Sequence, residues 1–479
     1  MKKSIKSNYI YNLLYQMLIL ILPLITTPYI SRILGAENIG IYSYTLSISA
    51  FFILFGSLGI GLYGQREIAY LQEDVKKRSK VFWEIIILKC ITMSISLLIF
   101  YLTCIVKYSE YSLYYRILIL EIIANMLDIS WFFQGLEEFK KTVGRNTLVK
   151  LISVVCIFIF VKTSEDLPIY FIIYTLSILI GNLSLWIYLP KYVQKIKIDK
   201  LNIGAHVKPT ISLFIPQIAI QVYTLLDKTM IGTIIADKSE VGYYEQTQKI
   251  IKILLTIITS LTTVMMPRIA NKFANGEDNK IAEYMNISFN MVLMLAFPLM
   301  FGIFAVADEF VPLFFGQGYD KVSMLMKVIC PIILFIGLSS VIGTQYLLTT
   351  KRQKEYTSSV ILGSIVNFII NLMLINRMGA LGASIGTIVA ELTVTGVQIH
   401  YTKHDFEWGK ILKSSIHYFM AGLIMFLTCL LVANMINNEA LAIIAQVLVG
   451  IIVYFVTLLI FKDEFITTIL DKIKEKLIV

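Results

Sequence analysis

Apolar residues in this chain gather in long blocks, and polar residues gather in the short gaps between them. An α-helix rises 1.5 Å per residue, so about 20 apolar residues cross the roughly 30 Å of hydrocarbon in a bilayer. Fourteen blocks reach that length: 8–34, 39–63, 81–106, 112–135, 146–162, 168–190, 207–235, 242–266, 282–306, 322–347, 356–376, 380–401, 412–436 and 441–461. With no water in the bilayer core, a helix is the form in which such a segment satisfies its own backbone. The expected fold class is an all-α polytopic membrane protein of about 14 transmembrane helices. The loops are too short to hold a soluble catalytic domain, so no enzyme is expected.

Composition agrees. Hydrophobic residues make up 57% of the 479 positions and charged residues 15%, against about a quarter charged in soluble domains. Mean hydropathy is +0.75. A disordered chain is excluded, and a water-soluble core could not hide this much apolar surface. The net charge of +10 would suggest nucleic acid in a soluble protein. Here most of the 42 lysines and arginines fall in alternate loops and in the two tails. That bias places both termini in the cytoplasm and makes the charge a statement about topology. The cysteines (Cys90, Cys104, Cys156, Cys330 and Cys429) lie in apolar blocks with no C-x-x-C pair, so neither a disulfide framework nor a metal knuckle is indicated. The first apolar run, 8–34, is too long for a signal-peptide core and reads as a retained helix.

The chain also repeats. Ile39-Gly40-Ile41-Tyr42 resembles Val241-Gly242-Tyr243-Tyr244 at an offset of 202, and Arg66-Glu67-Ile68-Ala69 resembles Arg268-Ile269-Ala270, with the arginines 202 apart and the Ile-Ala pairs 201 apart. Gln134 and Lys140-Lys141 match Gln345 and Lys351-Arg352, 211 apart. The expected organisation is a six-helix bundle over 1–190, a basic cytoplasmic linker over 191–206, a second six-helix bundle over 207–402, and helices 13 and 14 with a tail over 403–479. An even number of helices per copy makes the repeat parallel. The implied pseudo-two-fold axis lies along the membrane normal, with a site between the halves.

Polar side chains in the spans fall on helical faces. Gln217, Gln221, Thr224 and Lys228 form one stripe; Glu245, Lys249, Lys252, Thr256, Thr259 and Thr263 form another. Asn367 with Ser364 and Asn371, and Glu391 with Ser384, Thr387, Thr395 and Gln398, mark the eleventh and twelfth spans. Asp128 ends a shorter stripe with Glu121 and Asn125. Hydrogen-bonded contact between helices is one reading of such faces. For the face bearing Lys249 and Lys252 a wet cavity is the stronger one, because a lysine at the bilayer centre costs about 2.5–3.5 kcal/mol. Glu245 can pair with Lys249 one turn on, which leaves Lys252 to meet an anion. Asp227 is next to Lys228 but on another face of the helix. Asp128, Asp227, Glu245 and Glu391 are candidate cavity or coupling carboxylates. Pro23 and Pro28 in the first span, and Pro209 and Pro216 in the seventh, are candidate kinks. His400 and His404 have metal spacing but no third ligand, and read as a solvated pair near a helix end. No metal or other cofactor is expected, and no P-loop pattern points to ATP.

The stretch Tyr29-Ile30-Ser31-Arg32-Ile33-Leu34-Gly35-Ala36-Glu37-Asn38-Ile39-Gly40-Ile41-Tyr42 resembles the opening motif of Wzx-type oligosaccharide flippases. Asp227-Lys228-Thr229-Met230-Ile231-Gly232, Trp131-Phe132-Phe133-Gln134-Gly135 and Met378-Gly379-Ala380-Leu381-Gly382-Ala383 are similar to further motifs of that family. The resemblance covers essentially the whole chain. It implies two six-helix bundles that work by alternating access in the bacterial cytoplasmic membrane, and a cargo of oligosaccharide repeat units on undecaprenyl diphosphate, moved for capsule, O-antigen or exopolysaccharide assembly. It also implies pathway partners, a polysaccharide polymerase and glycosyltransferases, besides membrane lipids. Cationic cavity residues are implied to hold the diphosphate, and Arg32 and Lys228 match on this chain; the stripes add Lys249, Lys252, Gln217, Gln221, Thr224 and Asn367. A multidrug–cation antiporter or a lipid II flippase of the same superfamily are the alternatives.

Overall fold

The computed structural model describes residues 5–107, 110–197 and 201–468, which form helices and short connections with no β-strand among them. The α-helices of the first half are α1 (Ile5–Ser57), α2 (Ile60–Tyr70), α3 (Val75–Phe100), α4 (Ser112–Met126), α5 (Ser130–Gly135), α6 (Phe139–Phe160) and α7 (Leu167–Trp186). They are followed by α8 (Val207–Ile234), α9 (Ser239–Ala274), α10 (Asp278–Phe315), α11 (Asp320–Ile329), α12 (Ile332–Ser339), α13 (Gln353–Met378), α14 (Ala380–Tyr401), α15 (Trp408–Met435) and α16 (Glu439–Ile460). Among the described residues ten helical stretches are long and apolar enough to cross a membrane, or eleven if 320–329 and 332–347, bent by 41°, form one span. The protein is thus an all-α, multi-pass membrane protein, while fourteen spans remain an expectation. One reason for the lower count is α1, which joins the first two expected spans without a loop. The helix runs on through Pro23 and Pro28 and breaks instead at Gly35, where φ is 76° and ψ 170°. That backbone conformation excludes residues with a Cβ.

Contacts divide the chain into two compact units: Met1–Gly232 with Asp237–Gly242, and Thr233–Ala236 with Tyr243–Val479. The sequence repeat puts α8 at the head of the second bundle, whereas its contacts up to Gly232 lie in the first unit. The Thr229 and Ser47 hydroxyls are 2.8 Å apart, the rings of Phe214 and Phe55 are edge to face at 6.0 Å, and a Cβ at Gly232 would overlap the Tyr44 ring. At the start of α8 the His206 ring is buried between two partners, the Tyr63 hydroxyl at Nδ1 (2.6 Å) and Glu84 Oε2 at Nε2 (2.9 Å). A repeat boundary records sequence similarity and a packing boundary records contacts, so the two need not coincide.

The repeated glycine motifs meet in this first unit. A Cβ at Gly40 would lie 1.7 Å from the Lys238 carbonyl oxygen, and a Cβ at Gly242 would lie 2.0 Å from the Ala36 carbonyl oxygen. Each copy therefore presses bare backbone against backbone beside the other. Lys238 is buried there with its Nζ 5.4 Å from the centre of the Tyr44 ring.

The rest of the first unit is built around aromatic packing and carefully met helix ends. Trp131, Phe132 and Phe133 on α5 are buried with Phe82, Ile85 and Ile60. The α4–α5 break exposes carbonyl groups at the end of α4 that need donors. Asn182 donates to Ala124 (2.7 Å), the Trp186 indole to Leu127 (2.8 Å), and Lys89 Nζ to Asp128 (2.8 Å). A buried lysine in an apolar helix is so accounted for: it caps a negative helix end. Outside the spans, Asp74 caps α3, and the Lys77 backbone N–H holds its carboxyl below the usual range.

In the second unit α13 and α14 form a tight hairpin about Gly379. Gly382 and Gly386 lie against Leu374 and Asn371 with no room for a Cβ, a small-residue contact of the kind that lets membrane helices approach closely. The last two helices pack on α10: Tyr418, Met425, Cys429 and Tyr454 are buried with Leu293 and Phe297, and the Tyr454 hydroxyl donates to the Met294 carbonyl at 2.8 Å.

The glycine contact makes a direct prediction. Gly40→Ala should destabilise the protein by about 1–3 kcal/mol through overpacking and lower its thermal midpoint in detergent. Gly61→Ala, where a Cβ meets nothing within 4 Å, should leave that midpoint unchanged or raise it slightly.

Candidate functional site

The stripe on α9 is the most open polar surface among the candidates. Lys252, Thr256 and Thr263 are exposed, while Glu245, Lys249 and Thr259 are half-buried. The neighbouring face of the same helix, with Tyr244, Gln248, Ile251, Leu255, Ile258 and Thr262, is buried. At 100° per residue the six stripe positions fall within one narrow sector. Ile257 and Val264, both exposed, lie about a third of a turn away and give the helix a separate apolar face.

Chemistry along the stripe is simple. Glu245 Oε1 lies 3.8 Å from Lys249 Nζ, a loose pair of the i,i+4 kind. The hydroxyls of Thr256, Thr259 and Thr263 each donate to the carbonyl one turn back, at 2.8, 3.0 and 3.0 Å. These threonines satisfy themselves within the helix and leave a polar but undemanding surface. The two ammonium groups are its only charged donors.

The other candidate residues occupy different settings. In the first unit Arg32 is exposed, one turn before the Gly35 break, Gln221 is exposed, and Lys228 is half-buried beside the buried Asp227. The side chains of Gln217 and Thr224 lie outside the described residues. Asp128 is half-buried and acts on its own turn: its carboxylate accepts from the Ser130 N–H (2.9 Å) and hydroxyl (3.0 Å). In the second unit Asn367 is fully buried and accepts from Asn371 Nδ2 at 3.2 Å. Glu391 is buried on α14. The α14 stripe is entirely interior: Thr387 bonds the Tyr244 hydroxyl at 3.0 Å, and Gln398 donates to Ser359 at 3.1 Å. Arg32 and Lys228 thus belong to one unit, and Lys249 and Lys252 to the other.

Sequence reasoning passed over the buried cluster of Glu84, His206 and Tyr63 and the buried Lys89. The signal was present, since Glu84 and Lys89 are the charges within an otherwise apolar third span, but neither belongs to a stripe.

The family model described as polysaccharide biosynthesis protein matches residues 5–273. The chain belongs to that family. A second model, lipid II flippase MurJ, matches residues 146–452. An Escherichia coli (strain K12) protein named "Putative O-antigen transporter" is 25% identical over 409 residues, covering 84% of this chain and 98% of its own length. A Shigella dysenteriae protein of the same name is 23% identical, covering 78% of this chain and 93% of that protein. Among solved structures, the lipid II flippase MurJ in an inward closed conformation superposes with a TM-score of 0.79 at 16% identity, over 96% of this chain and all of that one. At that identity the likeness shows the fold alone. Within the polysaccharide biosynthesis family this chain is a polytopic membrane protein with a cationic, threonine-lined face on α9.

If that face is wet, single cysteines placed there in a cysteine-free background will react quickly with a charged, membrane-impermeant thiol reagent. Lys252→Cys, Thr256→Cys and Thr263→Cys should be labelled at least about tenfold faster than Ile257→Cys and Val264→Cys, because thiolates form in water and not in lipid. Equal rates on both faces would remove the case for an aqueous stripe.

Proposed function

We propose that this protein is a flippase that moves undecaprenyl-diphosphate-linked oligosaccharide repeat units from the cytoplasmic to the outer leaflet of the bacterial cytoplasmic membrane by alternating access. The product supplies capsule, O-antigen or exopolysaccharide assembly. Both termini lie in the cytoplasm, as the distribution of lysine and arginine indicates. The family match and the O-antigen transporter relatives support this reading. So does one physical observation: Lys249 and Lys252 share an open face with three self-satisfied threonines inside an apolar helix.

The barrier to be removed is large. Each sugar hydroxyl left unsatisfied in hydrocarbon costs about 2–7 kcal/mol, and the charged diphosphate costs more. Threonine-lined, hydrated walls keep the hydroxyls in water. Ammonium groups supply charge-assisted contacts to the diphosphate, with Lys228 and Arg32 as further cations and Gln217, Gln221 and Thr224 as polar lining; Asn367, expected from the sequence to join them, is fully buried against Asn371 and does not. The prenyl chain stays in lipid throughout. Glycosyltransferases that build the repeat unit and a polymerase that consumes it are the partners this chemistry requires.

A lipid II flippase is the second reading, favoured by the match over 146–452 and the MurJ-like fold. It differs in cargo and not in mechanism. A drug–cation antiporter fits less well, because a cationic face repels a cationic drug.

Deleting the protein should cause prenyl-diphosphate-linked oligosaccharide to accumulate, visible by mass spectrometry of extracted lipids, with loss of surface polysaccharide. A variant carrying Lys228→Ala, Lys249→Ala and Lys252→Ala should export at least about tenfold less at normal protein level, since each lost contact to a charged group is worth about 1.5–3 kcal/mol. Normal export from that variant would reject the anion-holding role. Rescue of cells lacking their own lipid II flippase would favour the second reading.

A further inference from the structure

Glu121 is a buried acid that the proposed mechanism does not use. It lies on α4, 6% exposed, inside the apolar part of the first unit. Its carboxylate accepts from the hydroxyl of Ser49 on α1 and from that of Tyr174 on α7 at 3.2 Å. Ser49 is fully buried, and the Tyr174 ring is held edge to face by Tyr42 of α1 at 5.7 Å. Three helices therefore converge on one acid.

No cation compensates it among the described residues. α7 and the part of α1 from Ile39 to Ser57 carry no charged residue at all. On α3 the apolar stretch holds Glu84, which bonds His206 and the Asn202 N–H, and Lys89, whose Nζ is bonded to the Asp128 carbonyl. The stretch 101–106, also packed on α4, carries no charge, only Tyr101 and Cys104 as titratable groups. Arg116 on α4 itself is exposed and lies five residues away, about 140° round the helix. A carboxylate in hydrocarbon with two neutral donors and no counter-charge is costly, and acids so placed in membrane proteins commonly serve proton transfer. A proton is the counter-charge this site can accept.

The surroundings also connect the acid to the candidate cations. Ser49 bonds Glu121, and Ser47, two residues earlier, bonds Thr229 on α8. Thr229 directly follows Lys228. A change in the bonding of Glu121 thus acts on the short α1 segment that also holds α8.

We infer that Glu121 is a proton-binding site, loaded and unloaded once per cycle, that couples export to the transmembrane proton gradient. This rests on the flippase reading. It goes beyond that reading by naming the coupling ion and the group that carries it.

The test uses the full-length protein in proteoliposomes and in cells. Infrared difference spectra recorded across a pH titration should show the C=O band of a buried, protonated carboxyl. The band should vanish in Glu121→Gln, whose amide keeps an acceptor for Ser49 and Tyr174, and persist with a shifted pH midpoint in Glu121→Asp. In cells, collapsing the pH gradient with nigericin should reduce polysaccharide export in wild type. Glu121→Gln should lose that gradient-dependent part of export at unchanged thermal midpoint. If Glu121→Gln fails to fold, the Glu121→Asp shift carries the test. The inference is overturned if no carboxyl band titrates, if the band is the same in wild type and both variants, or if export responds equally to nigericin with and without Glu121. A deletion strain with normal polysaccharide would instead overturn the flippase reading and leave the infrared assignment standing.

Discussion

A polar group carried into hydrocarbon must bring its partner with it, and most of this architecture follows from that constraint. Helices meet it for the backbone, so the interest lies where helices stop. The end of α4 is the clearest case. Three carbonyl groups lose their intrahelical donors at the turn before α5, and Asn182, Trp186 and Lys89 from two other helices replace them. The break is therefore a point where α3, α4 and α7 are tied together. Lys89 needs no ion-pair partner, since a helix end carries partial negative charge of its own.

The same constraint separates two kinds of polar residue that look alike in a list. Glu84, His206 and Tyr63 bond one another and fasten the start of α8 to α2 and α3. They are structural because each is fully engaged. Lys252 and Thr256 are exposed on a helix whose neighbouring face is buried, so their polarity is directed outward. Only groups of the second kind can be offered to a cargo. Glu121 stands between the two: it is buried and bonded, but to donors that leave its charge unbalanced.

Much of the fold was legible because apolar block length is a physical measurement in a membrane protein. The break between the first two expected spans falls at Gly35, inside the interval 34–39 that the pattern left open. Gly40 and Gly242 stood out in the sequence as matched positions, and the structure gives glycine a reason at each: a Cβ there would overlap the Lys238 or the Ala36 carbonyl oxygen. The packing of α8 was not legible. Its neighbours are chosen by Phe214, Thr229 and Gly232 meeting Phe55, Ser47 and Tyr44, residues unremarkable in sequence and far away along the chain. Pro23 and Pro28, the candidate kinks, stay within the helical run of α1, and the non-helical residue inside it is Gly35. A missing donor weakens a helix at one point, while a positive φ redirects the chain.

The two longest stripes show what periodicity leaves undecided. α9 and α14 both carry polar residues every third or fourth position, and the spacing alone assigns each a face. In the structure one face is open and the other is interior. The bonding partners of the stripe residues make the difference. On α14, Thr387 bonds the Tyr244 hydroxyl of α9, Thr395 donates to the Phe335 carbonyl of α12 and Gln398 donates to Ser359 of α13, so the stripe is closed by neighbouring helices. On α9 no glycine follows Gly242, and the long lysine stems need space that close helix packing would deny. A polar stripe whose side chains bond neighbouring helices is therefore a packed seam, and one whose hydroxyls bond carbonyls of their own helix is an open wall. On the flippase reading proposed above, the open face of α9 is therefore the one offered to a cargo, and the interior stripe of α14 is not.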